Sequence, residues 1–186
     1  MNVKNILTVM TLFSATLFTF SCDKEDEGEF GPNDKGSIIL EFDNVVGSQN
    51  LQLNGPQTYT NTNGDQFNVT LLNYYISNVK LKKGDGTVYT VPQDSSYFLV
   101  KESNAASREI KLNNIPAGDY TEVTFTVGVD SARNTMDLAK RTGILDPAAN
   151  SGDDNMYWSW NSGYIFFKME GLSPQATADA AGNKKF

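Results

Sequence analysis

Cys22 is the one cysteine of this 186-residue chain, and there is no histidine anywhere. Those two facts set the available chemistry. A lone thiol forms no internal disulfide, and without imidazole neither a Ser-His-Asp nor a Cys-His arrangement can be built. Cys22 follows a run from Ile6 to Phe20 that is almost wholly apolar or hydroxylic, preceded by a single charge, Lys4. A basic start, an apolar stretch and a small residue before the cut read as a secretory leader; the stretch is shorter than the roughly 20 residues that span a bilayer. Residues 1–21 are therefore expected to be a signal peptide, and Phe20-Ser21-Cys22 resembles a lipobox whose cysteine takes the lipid.

Other side chains with chemical potential are spread through the chain. Trp158 and Trp160 are its two tryptophans; two apart on a strand, they would share one face. With Tyr164 and Phe166 on the same parity, they are expected either to fill a core or to belong to a modification or metal site. Met136, Met156 and Met169 are the thioethers beyond the leader, the ligand type that suits copper(I). Asp130, Asp153 and Asp154 offer hard oxygen ligands, but without calcium-loop spacing they read more simply as turn and cap residues. Paired carboxylates could do acid–base work, yet here they lie in the segment after Cys22 or in Gly/Asn-rich loops. Enzyme activity is not expected.

The elements that must position these residues have a spacing of two rather than a helical one. Ser37 to Val46 reads as a strand with Ile38, Leu40 and Phe42 on one face. Phe67 to Lys83 alternates through Phe67, Val69 and Leu71, then Tyr75, Ser77, Val79 and Leu81. Gly84-Asp85-Gly86 is hairpin chemistry, with Thr87 to Val91 returning. Ser96 to Lys101 and Arg108 to Leu112 are further short strands. Pro116-Ala117-Gly118-Asp119 is a turn that leads into the cleanest alternation, Val123, Phe125, Val127 and Val129. A short helix is expected within Ser131 to Lys140. The pattern predicts one all-β domain, an antiparallel β-sandwich, over residues 36–186.

Residues 22–35 begin with the charge run Asp23-Lys24-Glu25-Asp26-Glu27 and continue rich in Gly, Pro, Asn and Asp. Such composition buries no core and predicts a flexible tether. Lysine plus acidic residues after the lipid cysteine resembles the surface-export signal of Bacteroidota lipoproteins. The expected address is the cell envelope, as an outer-membrane lipoprotein exposed at the surface and held by its lipid anchor. The net charge of −7 opposes binding to phosphate backbones, where Lys and Arg contacts dominate, so nucleic acid is excluded as a partner.

Two stretches carry a family resemblance. One is Pro116-Ala117-Gly118-Asp119-Tyr120 with Phe125-Thr126-Val127-Gly128-Val129-Asp130; the other is the block from Met156 to Gly171, MYWSWNSGYIFFKMEG. With Tyr74-Tyr75-Ile76-Ser77-Asn78 and the opening strand, they resemble the MbnP-like domain, a family named for a copper-binding protein encoded beside methanobactin genes. The resemblance implies a secreted or lipid-anchored β protein. It implies a copper site made of imidazoles and a kynurenine formed by oxidation of a tryptophan, with a di-haem, peroxidase-like enzyme as the oxidising partner. Trp158 and Trp160 are the residues onto which that modification would carry, without choosing between them.

This sequence departs from the pattern in having no histidine, whereas family domains continue into a histidine-containing strand. The expectation is a C-terminally truncated domain: an envelope protein that handles copper in its full-length form, with the metal ligands of this chain undetermined. An alternative of a different class is a surface ligand-binding or adhesion module, for example for glycans, because Trp and Tyr rings on β segments also stack on sugars.

Overall fold

The computed structural model describes residues 30–55, 58–148, 155–158 and 163–186. Cys22 and the leader, most of the tether, Asp153, Asp154 and Trp160 lie outside the described residues. Among the described residues no helix is long and apolar enough to cross a membrane.

The strands are β1 (Lys35–Glu41), β2 (Val45–Val46), β3 (Gln49–Asn50), β4 (Tyr59–Thr60), β5 (Gln66–Lys83), β6 (Val88–Thr90), β7 (Tyr97–Lys101), β8 (Glu109–Pro116), β9 (Tyr120–Val127), β10 (Tyr157–Trp158), β11 (Gly163–Tyr164) and β12 (Phe167–Leu172). The fold is all-β and sandwich-like. β5 is the spine of the larger sheet and pairs antiparallel with β4, β6, β7, β9 and β12. β1 and β8 form a second antiparallel pair. Between the two sheets lies a core of Leu51, Val69, Leu72, Tyr74, Ile76, Val79, Leu81, Val100, Ile110 and Leu112, against which Ile38, Leu40 and Phe42 pack as their alternation predicts. On the opposite face of the larger sheet, Tyr75 and Leu99 meet Val129, Leu145, Met156, Tyr157 and Tyr164 in a second cluster. The molecule is thus layered as strand pair, core, spine sheet, second cluster and a covering segment after β9.

β5 departs from a fixed parity in a physically instructive way. The core residues run Val69, then Leu72, Tyr74 and Ile76, then Val79 and Leu81; odd positions give way to even ones and return. A register shift opposite Glu170/Gly171 leaves Thr70 extra on β5, and a second shift falls between Ser77 and Lys80. Asn78 there adopts a positive φ of 55°. Each β-bulge inserts one residue and so exchanges the two faces. The expected single row holds at both ends; in the middle, Tyr75 belongs to the second cluster rather than to the core between the sheets.

β9 and β12 lie in line along one edge of β5. β9 pairs with residues from Ile76 to Lys83, and β12 pairs with residues from Asn68 to Tyr74. The alternation in β9 is as expected, but its burial is not: Val123, Phe125 and Val127 are exposed. They point to the inner face, opposite Leu81 and Ile76 of the core. Among the described residues, however, the second sheet holds only β1 and β8, and its cover is partial: Ile39, Leu40 and Phe42 line one cavity with Val123 and Phe125. Phe125 is partly sheltered by an edge contact with Phe42 at 5.5 Å between ring centroids. The helical expectation is met only by a single turn, α1 (Ser131–Asn134), and a 3-10 turn at Leu138–Lys140.

Candidate functional site

β10 and β11 form a short antiparallel hairpin in which Tyr157 faces Tyr164 and Trp158 faces Gly163. Reversal of the chain between them breaks the parity expected from spacing. Tyr157 and Tyr164 are the residues that turn into the second cluster, their rings 5.3 Å apart and edge-to-face. Tyr75 meets Tyr164 at 5.6 Å in the same manner, and the Tyr164 hydroxyl donates to the Leu145 carbonyl. Burial pushes the phenols of Tyr75 and Tyr164 up, so both stay protonated. Trp158, by contrast, is 44 % exposed. It does not fill a core.

Trp158 instead lines a groove of about 780 Å³ that runs along β12. Thr70, Ile165, Phe167, Met169, Glu170 and Phe186 contribute to its walls. The residue spacing of β12 explains the mixture. Phe167 and Met169 pair with Tyr74 and Leu72 on the inner face, while Lys168 lies opposite Asn73 and ion-pairs with Glu170 at 3.4 Å. At the far end the chain returns antiparallel: Phe186 N–H donates to Gly171 at 3.1 Å, and Gly171 N–H donates back at 3.2 Å. Gly171 must be small there, because a Cβ would lie 2.5 Å from the Phe186 ring and 2.0 Å from the Asn68 carbonyl oxygen.

The three thioethers are not brought together. Met169 is exposed in the groove, Met156 is fully buried in the second cluster, and Met136 lies in a different cavity beside Arg133. Asp130 serves the fold: its carboxylate accepts the Arg133 amide at 3.1 Å as the cap of α1, and it takes the Tyr97 hydroxyl and the Asn78 amide. Burial raises this carboxyl, but the hydrogen bonds from Tyr97, Arg133 and Asn78 outweigh that and hold it below its ordinary range. Among the described residues no group of three His, Cys, Asp or Glu side chains could hold a metal. One indole, one thioether and one carboxylate along β12 do not make a copper site, so no metal step follows from these residues. Sequence spacing did not place Met169 in one groove with Trp158, because that depends on how β12 pairs with β5. It also missed Arg141, a buried cation whose only sequence signal is a basic pair, Lys140-Arg141, next to an apolar turn.

The MbnP family model matches residues 35–186. Among solved structures, MbnP from Methylosinus trichosporium is similar, with a TM-score of 0.57 at 14 % identity. The likeness covers 82 % of this chain and 61 % of that one, so this chain spans about three fifths of its relative's length. Among curated proteins none matches. The chain belongs to the MbnP family.

Proposed function

We propose that this MbnP-family protein is a non-catalytic, lipid-anchored envelope protein that handles copper. The observation that carries the reading is the position of Trp158, exposed in a groove whose lining also includes Met169, instead of packed inside the sandwich. An indole that is to be oxidised by a partner, or to stand beside a metal, has to be reachable. The Met169 thioether in the same groove is the soft donor type that copper(I) accepts. Remaining donors would come from outside the described residues. The apolar leader and Cys22 support the anchor, and the acidic segment after Cys22 supports display at the outer-membrane surface. The resemblance supplies the partner, a di-haem, peroxidase-like enzyme.

Copper titration of the complete gene product, with mass spectrometry of the peptide holding Trp158 and Trp160, tests this reading. Copper uptake with an oxidised tryptophan is the expected result. An unmodified peptide together with no uptake would remove the copper role.

The exposed indole favours one second reading. Trp158 stands with Thr70, Lys168, Glu170 and Lys185 around a groove wide enough for a sugar ring, as a glycan-binding module would need. Glycan-array binding lost in Trp158→Ala, with the fold retained, is the result that would favour it over copper; silence on every glycan would dismiss it.

A further inference from the structure

Arg141 is buried, at 8 % exposure, and unlike Glu102, whose buried side chain is paired with Arg108, it has no ion-pair partner among the described residues. Its guanidinium lies over the rings of Tyr157 and Tyr164, 5.4 and 5.2 Å from their centroids. Nε donates to the Met136 carbonyl at 2.9 Å, and Nη2 donates to the carbonyls of Met136 and Asn134 at 2.7 and 3.0 Å. Nη1 is buried and has no hydrogen-bond partner. No carboxylate of the described residues pairs with it; their ion pairs join Lys82 to Glu122, Arg108 to Glu102, Arg133 to Asp94 and Lys168 to Glu170.

A buried cation is stabilised by stacking on tyrosines and by carbonyl oxygens, but neither supplies the opposite charge that desolvation calls for. Arg141 also helps line a cavity of about 270 Å³, and the same cavity takes in Lys140, Arg133, Asp94, Tyr97 and the turn from Thr142 to Leu145. Three cationic side chains thus surround it against one carboxylate, in a chain whose net charge is −7. That carboxylate, Asp94, is itself exposed and already engaged by Arg133.

We propose that this cavity binds a small oxyanion, a carboxylate or phosphate group, with Lys140 as the donor at the mouth, Arg133 as its positive wall and the Arg141 guanidinium as a buried positive charge behind it. Charge-assisted hydrogen bonds from ammonium and guanidinium groups to oxyanions are short and strong, and a site with restricted water access strengthens them. The cavity lies on the covering segment, and the Trp158 groove shares none of its lining residues. The oxyanion site therefore stands or falls independently of the copper reading.

Calorimetric titration of the mature chain with citrate, and separately with inorganic phosphate, tests the site, with ionic strength held constant by sodium chloride. The expected result is saturable one-site binding of at least one of the two, which also tells carboxylate from phosphate. Two solvent-side variants keep the test clear of folding defects. Lys140→Gln should weaken binding about tenfold, close to the ~1.4 kcal/mol that equals a factor of ten. Asp94→Asn should tighten it several-fold, because Arg133 loses its competing carboxylate. No saturable heat with either probe overturns the proposal. So does binding that is equal in wild type and both variants, which would indicate non-specific ion uptake.

Discussion

The backbone of Tyr75 joins two strands that are distant in sequence, for its carbonyl accepts the Gly128 N–H at 2.8 Å while its own N–H donates to Phe166 at 3.0 Å. β9 thereby hands over to β12 at a single residue of the spine. Gly128 has a φ of 124°, a conformation that L side chains avoid, and a Cβ there would lie 3.0 Å from the Phe166 ring. Gly128→Val should therefore cost about 2–4 kcal/mol, the range of strain plus overpacking. Urea unfolding, read as a fall in midpoint at unchanged slope, measures it. A loss under about 0.5 kcal/mol, the usual surface range, would mean that the junction relaxes freely.

The apolar inner face of β9 predicts self-association. Val127 is 52 % exposed, it sits across from the core residue Ile76, and Val123 and Phe125 of the same strand are exposed as well, because the second sheet covers that side of the spine only in part. Contiguous apolar surface next to an unpaired sheet edge promotes association. Sedimentation velocity across a concentration series should show oligomers in the wild type and a shift toward monomer in Val127→Lys. Stability should change by no more than about 0.5 kcal/mol, because an exposed position is being altered. Oligomers that persist unchanged in the variant would place the contact elsewhere.

Asp130 sets an acid limit on the covering segment. The hydrogen bonds it accepts, from Tyr97 above all, depress its carboxyl in the folded state. Its contribution is therefore complete above the ordinary carboxylate range and is lost as pH falls through the lower folded value, because the unfolded chain then binds the proton first. Asp130→Ala should destabilise the wild-type fold by about 1–2 kcal/mol at neutral pH through loss of the cap. It should also flatten the decline in stability below about pH 4, near the unperturbed carboxylate value. Midpoints of thermal unfolding collected from pH 7 downwards check both parts. A parallel decline in wild type and variant would assign the acid sensitivity to other carboxylates.

The strands were legible in the sequence because alternation and turn chemistry are local. Gly84-Asp85-Gly86 announces its hairpin, and Gly86 N–H closes it on the Lys83 carbonyl at 3.0 Å. What spacing could not reveal is a two-sided spine. Residues Leu72 to Ser77 are buried consecutively, and the bulges at Thr70 and Asn78 exchange faces without any Gly or Pro on β5 itself to mark them. Nor can alternation tell a covered face from an uncovered one, since Val123, Phe125 and Val127 read alike in either case; cover depends on how many strands the opposite sheet supplies. The same reason hid the candidate site. Parity placed Trp158 with Tyr164, but the reversal between β10 and β11 separates them, and the pairing of β12 with β5 is what lets Met169 line the same groove as the indole.

Met156 and Met169 offer a chemical ruler for that arrangement. Both are thioethers in the block that carries the family resemblance, yet Met156 is 0 % exposed within the second cluster while Met169 is 43 % exposed in the groove with Trp158. Peroxide oxidises a methionine only as fast as it can reach the sulfur, and the sulfoxide is polar enough to disrupt a core. Peptide mapping after mild peroxide treatment should therefore find Met169 sulfoxide at least about tenfold ahead of Met156 sulfoxide, with the second appearing only as the protein unfolds; a tenfold gap needs an opening cost of just ~1.4 kcal/mol, well below the 5–15 kcal/mol of an ordinary native state. In the same experiment Met169→Leu should leave the unfolding midpoint nearly unchanged, whereas Met156→Ala should cost about 2–5 kcal/mol, as deletions from packed cores do. Equal oxidation of the two thioethers in the folded protein would show that the hairpin carrying Trp158 does not seal the second cluster. The indole would then lose the fixed position in the groove on which the copper and the glycan readings both depend.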